Sequence, residues 1–376
     1  MKYKAVAMLM ALSGPQVMTI ASDVHDQHEF SLLVSEVGRV EEDPHGRIYL
    51  LDGKRIPFAF SIDTKKDANG DASAADNSNC SRLHFRIVVP SSIEAMGCSF
   101  VVDRPFYAMS IELSMADAAA IEQRSVEYVR EEALVRLKKL REGDRGFVPE
   151  LDRLGDEAID EYLSRSNCPV IGVDCSYAAR MCRSVFESYR IPMAIPTLSQ
   201  WLIIAGSGKK SIIDAIPITP QGVVWGTEVT KCPEQMLKFV RPACDSQSGT
   251  LEINNIFGNV SEYVVLSQSE KDSLSVALRQ RFGGDTHRSL FYENKIASTV
   301  GLSMGGDVMA GAGWETRAEA WAEFRKEENW NARYITGFRR VEGGSVMWDE
   351  RIVATGFRPV VLCPMGAFSV VQGKNE

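Results

Sequence analysis

The sequence predicts an α+β protein, a small mostly β N-terminal region followed by a larger loop-rich domain. Three observations carry this. Residues 30 to 62 alternate apolar and polar side chains between turn signals ("FSLLVSEVGRV", "RIYLLDGKRIPFAFSI"), the period-2 pattern of strands. The stretch "MADAAAIEQRSVEYVREEALVRLKKLRE" (115–142) places apolar residues at helical spacing and is rich in Ala, Glu, Leu and Lys. Beyond residue 190, Gly becomes common and short apolar pieces are separated by Gly, Ser and Asn, with no long helical pattern before "TRAEAWAEFRKEENW".

The N-terminus pairs Lys2 and Lys4 with an apolar run, a Gly-Pro break and "TIA". That order predicts a signal peptide over residues 1–21, with a first strand of the domain as the other reading. Asp52-Gly53, between two apolar runs, predicts a hairpin turn. Residues 63–80 ("DTKKDANGDASAADNSNC") hold almost no large apolar side chain, which marks a polar loop; its acids lack EF-hand spacing. "LHFRIVV" and "CSFVVDRPFYAMSIELS" resume strand character up to Ser114, the expected N-cap of the long helical stretch, which has room for one break. A second helix is predicted over "SYAARMCRSVFESY" (176–189), and a third at "LSQWLIIA", with Thr197 as N-cap and Trp201 as core anchor. The boundaries expected are 22–99 for the N-terminal region and 100–376 for the larger domain.

Composition narrows function. At 376 residues the chain is long enough for a core that needs no staples, so its eight cysteines are not a small-protein disulfide framework. An exported chain would leave Cys168 with Cys182, and Cys232 with Cys244, open to pairing. The net charge is −8 and basic residues are scattered, which argues against nucleic acid and anionic membrane partners. No run of 18 apolar residues exists, so no transmembrane span is expected. "GSGKKS" (206–211) lacks Walker spacing, no Gly-x-Ser-x-Gly elbow is present, and the acid pair at 131–132 lies on a charged helix face.

One segment resists a purely structural reading. "NNIFGNVSEYVV" (254–265) sets Asn259 and Glu262 in an apolar run. Two local explanations are open: Asn259 caps a turn and Glu262 pairs with an arginine such as Arg358, or both supply oxygen to a cation. In the last strand pattern, Gly356 would permit close backbone approach, Phe357 would be core, and Arg358 would pair with a buried acid.

Five segments in order ("DRPFYAMSIELSMADAAAIE", "CPVIGVDCSYAARMCRSV", "IPMAIPTLSQWLIIA", "INNIFGNVSEYVV" and "TGFRPVVL") resemble the formylglycine-generating enzyme family, the sulfatase-modifying-factor domain. The resemblance covers roughly residues 100 to 365 and implies a C-type-lectin-like fold. It implies that Gly258, Asn259 and Glu262 stand where the family has "GNVWEW", whose Asn and Glu help bind a structural calcium. The family's Trp positions are Ser261 and Tyr263 here, and its "RGGSW" is "MGGDV" (304–308). The family's enzymes bind copper through two cysteines five apart, upstream of "GFR". The best-aligned positions here are Ile335 and Arg340, and no cysteine lies between Cys244 and Cys363. No copper is therefore expected, because Cu(I) needs thiolates. A related branch uses non-haem iron on histidines; this chain has five, and only His25 and His28 are close.

The function expected is a non-catalytic binding or structural protein, with protein or glycan recognised through the C-terminal loops, or a role in a larger surface assembly. The binding residues expected are Trp314, Trp330, Asn331, Arg333 and Tyr334, since aromatics and Arg on loops favour interfaces. The alternative is a metal-dependent oxidoreductase with a site relocated to Cys175, Cys182 or the histidines. A periplasmic or secreted location follows from the signal-peptide reading, and a cytoplasmic one from its alternative.

Overall fold

The computed structural model describes residues 38–63, 82–143, 156–216, 259–282, 301–305, 340–342, 345–347 and 355–373, with residues 237, 240, 242–243, 253, 256 and 296–297. It has helices and antiparallel sheets in an α+β arrangement.

The strands are β1 (Gly38–Glu41), β2 (Arg47–Leu51), β3 (Lys54–Ile56), β4 (Ala59–Asp63), β5 (Arg82–Val88), β6 (Ser91–Ala95), β7 (Cys98–Val102), β8 (Phe106–Met109), β9 (Met193–Ala194), β10 (Ser261–Val265), β11 (Gly301–Met304), β12 (Arg340–Glu342), β13 (Ser345–Met347), β14 (Thr355–Gly356), β15 (Val360–Leu362) and β16 (Phe368–Gln372). The helices are α1 (Met115–Glu122), α2 (Val126–Gly143), α3 (Asp156–Ser164), α4 (Cys175–Tyr189), α5 (Leu198–Gly206), α6 (Ile212–Ala215) and α7 (Gln268–Phe282). The long helical stretch breaks once, at Gln123, whose left-handed backbone (φ 53°) closes α1. Ser114 caps α1 in a capping box with Asp117, and Thr197 caps α5 in another with Gln200.

A six-stranded antiparallel sheet, in the order β1-β4-β5-β8-β15-β9, is the largest sheet among the described residues. It crosses residues 99 and 100, the domain boundary expected from sequence: β1, β4 and β5 precede it, while β8, β9 and β15 follow. The main core joins this sheet, through Phe60, Phe85 and Tyr107, to α1–α4, through Met115, Val129, Tyr162, Met181 and Val185. Phe60 stacks on Phe85 with ring centroids 5.1 Å apart and meets Tyr107 edge-on at 4.9 Å. A second core joins the β6–β7 hairpin to α5, α7 and a three-stranded sheet ordered β11-β10-β14. Here Glu270 at the start of α7 accepts from the Ser199 backbone N–H and hydroxyl of α5, at 2.6 and 2.5 Å.

Two hairpins turn on two residues of positive φ. Asp52-Gly53 (48° and 73°) joins β2 to β3 where the sequence placed a turn, and Met96-Gly97 (55° and 71°) joins β6 to β7. The third sheet, β16-β2-β3, sets the last described strand beside an early one. Among the described residues no helix is long and apolar enough to cross a membrane.

Candidate functional site

The residues singled out in "GNVSEY", "TGFRPVVL" and "PTLSQWL" meet at one buried polar cluster. β10 is buried along its whole length, so both its faces meet protein. With period 2, Glu262 shares a face with Val264, toward the second core, while Ser261, Tyr263 and Val265 face the other way. Arg358 follows β14, which runs parallel to β10 with Glu262 opposite Gly356. Gly356 has to be glycine there: a Cβ would lie 2.7 Å from Val260 Cγ2 and 3.2 Å from the Val170 carbonyl oxygen.

Glu262, Arg358, Trp201, Asn259 and Glu112 are each at most 1% exposed. Arg358 donates Nε to Glu262 Oε1 at 2.9 Å, and its Nη2 lies 2.8 Å from the same oxygen. Arg358 Nη1 donates to the Met109 carbonyl of β8 at 2.9 Å. Trp201 Nε1 donates to Glu262 Oε2, also at 2.9 Å. Asn259 takes a left-handed backbone (φ 62°), which Asn tolerates better than most residues, and donates Nδ2 to Glu112 Oε1 at 3.0 Å. The cluster thus ties β8, the turn before β10, β10, α5 and the segment after β14 into one network. A buried ion pair is weak evidence of net stabilisation, but removing one partner typically costs about 3–5 kcal/mol, because the other charge is left stranded.

The cluster holds two carboxylates and one guanidinium. Burial pushes Glu112 up to about 7; Arg358 opposes this shift, the Glu262 charge adds to it, and the Asn259 bond opposes it. Above that pH the cluster carries an excess negative charge in a dry setting.

On the opposite face of β10, three hydroxyls from three strands meet. Ser303 donates to Ser261 at 2.5 Å, Ser303 and Thr355 lie 2.7 Å apart, and Ser261 and Thr355 3.1 Å. Sequence reasoning missed this trio, whose members lie 42 to 94 residues apart. It also missed Glu112, although a lone acid between Ile111 and Leu113 in an apolar stretch is a readable signal.

Calcium prefers six to eight oxygen ligands. Each Glu262 oxygen here faces a nitrogen donor, one of them on a cation, and the Asn259 amide nitrogen is turned to Glu112. In this geometry the pair does not fit a calcium ion; it follows the other local reading, an acid paired with Arg358. Among the described residues no group of three or more His, Cys, Asp or Glu is arranged to hold a metal.

Among the described cysteines, Cys98, Cys168, Cys182 and Cys363 are free thiols. The Cys168–Cys182 pairing left open for an exported chain is not formed; both side chains pack in the main core as thiols. Burial pushes Cys98, Cys168, Cys182 and Cys363 upward, which favours the protonated form over the thiolate that metal binding needs. Trp314, Trp330, Asn331, Arg333, Tyr334 and Gly258, like Cys232 and Cys244, lie outside the described residues.

A second polar knot lies near the N-terminal sheet. Asp43 accepts from Tyr49 Oη at 2.5 Å, Arg47 Nε at 2.6 Å and the His45 backbone N–H at 2.8 Å. Burial would raise Asp43, but these donors outweigh it and hold the carboxyl below its ordinary value. No protein-family model matches the chain, and no curated protein matches it.

Proposed function

We propose that the chain is a non-catalytic binding or structural protein on a C-type-lectin-like scaffold of the formylglycine-generating enzyme kind. Its partner is a protein or glycan, or a larger surface assembly, met through the C-terminal loops, and its setting is periplasmic or extracellular. One observation carries this reading. Inside the protein, Glu262 spends its carboxylate on Arg358 and Trp201, and Asn259 donates to the buried Glu112. A reacting group has to meet substrate; Glu262 and Arg358 are each 0% exposed. The absence of any cysteine between Cys244 and Cys363 supports the same reading, because copper chemistry on this scaffold needs paired sulfurs beside the last strand.

The test has two arms. Purified chain is supplied with copper, oxygen and a cysteine-bearing peptide, and the peptide mass is followed; no aldehyde is expected, and its formation overturns the reading. Wild type, Trp330→Ala and Arg333→Ala are compared on glycan arrays and on cell-surface protein extracts. About tenfold or greater loss of binding is expected in the variants without a fall in melting temperature, as for interface anchors. Binding that ignores both substitutions moves recognition away from these loops.

A further inference from the structure

The outer side of β16 is an open strand edge. Asp52 N–H donates to the Ala367 carbonyl and Gly373 N–H to the Gly46 carbonyl, both at 2.8 Å, and β16 pairs with β2 between these two points. Hydrogen-bonded rungs alternate in an antiparallel ladder, so Ser369 and Val371 also bond inward. Phe368, Val370 and Gln372 then turn their N–H and C=O groups away from β2. No strand among the described residues pairs with that side. Val370 is 44% exposed and Val371 46%, on opposite faces of the strand.

We propose that this edge pairs antiparallel with the same edge of a second copy of this chain, joining two three-stranded sheets into one of six. A row of alternating donors and acceptors at strand spacing is satisfied by another strand. The segment's composition favours its own copy. Two-fold antiparallel pairing sets like residues near like, which is costly for charges. Residues 366–373 carry no charge, although the chain as a whole carries −8. The opposite edge of the same sheet, β3, carries Lys54 and Arg55, both exposed, and the β1 edge of the large sheet carries Arg39 and Glu41. Those edges have the charges that normally prevent strand addition; β16 has no Lys, Pro or bulge. Five paired residues fall well short of the roughly 1,000 Å² expected of a stable interface, so the dimer is a concentration-dependent one.

Sedimentation velocity of the full chain over a concentration series tests this. The expected result is a weight-average coefficient that climbs from monomer toward dimer. Val370→Pro removes an outward N–H and leaves the bonds to β2 in place; it should stay monomeric with an unchanged near-ultraviolet spectrum, and Val370→Lys should do the same. Val370→Cys should form a covalent dimer on oxidation, whereas Val276→Cys, on an exposed face of α7, should match wild type. A monomer at every concentration overturns the proposal. So does a dimer that persists in both the Pro and Lys variants, or an edge that binds unrelated extended peptides while the chain stays monomeric.

Discussion

At the scale of single residues, the behaviour of the cluster turns on which carboxylate holds the one guanidinium. Glu262 holds it, and burial keeps the proton on Glu112, with a folded value of about 7 against an ordinary 4.5. The sign of the pH effect follows. Below about pH 4.5 Glu112 is protonated in both states. As pH rises, the unfolded chain ionises first while the folded chain resists, so this contribution to stability is lost as pH passes through about 7. Asp117, fully buried and also pushed up to about 7, acts in the same direction. Asp43 shifts the opposite way and acts below 3.8, outside this window. Urea unfolding at stepped pH should therefore show stability falling from about pH 4 to about 7. Glu112→Gln, which keeps an oxygen for Asn259, should flatten that fall; an unchanged slope in the variant would refute the assignment.

Among the elements, the sequence was most readable where a local rule acts alone. Ser114 and Thr197 cap their helices because a side-chain oxygen three residues before a backbone N–H needs no distant partner. Asp52-Gly53 turns because both residues accept positive φ, whereas Met96-Gly97 escaped notice because a buried Met is an unusual occupant of that conformation. Gly356 was legible as a site of close approach, but the atoms it approaches, on Val260 and Val170, come from far along the chain. Gly356→Ala should overpack the joint between β10 and β14 and cost about 1–3 kcal/mol. Chemical denaturation reads this directly; a variant as stable as wild type would mean that Val260 moves aside at no cost.

Over the whole molecule, what the sequence hid was how far apart the partners lie. The pair Glu262–Arg358 was anticipated as a local option, but Glu112, 147 residues from Asn259, and the hydroxyl trio depend on a sheet order that no short window encodes. The expected boundary near residue 99 was set where the stretch of motifs begins, roughly residue 100, while the large sheet draws three strands from each side of it. A fragment of residues 100–376 should consequently expose Tyr107 and its neighbours, because β8 loses β5 and Phe60 and Phe85 leave the core. It is expected to lack a cooperative melting transition by calorimetry; a sharp transition like that of the full chain would show that the two parts fold separately.

The joined hydroxyls of Ser261, Ser303 and Thr355 close a ring in which each oxygen can give one proton and take one. If β10 slid by a single residue so that Glu262 took the place of Ser261, its carboxylate would swing into that ring and Tyr263 would be left facing the Trp201 indole. The trio therefore acts as a latch that closes in one alignment of three strands, and it holds the charged cluster behind it in the only position where its partners are within reach.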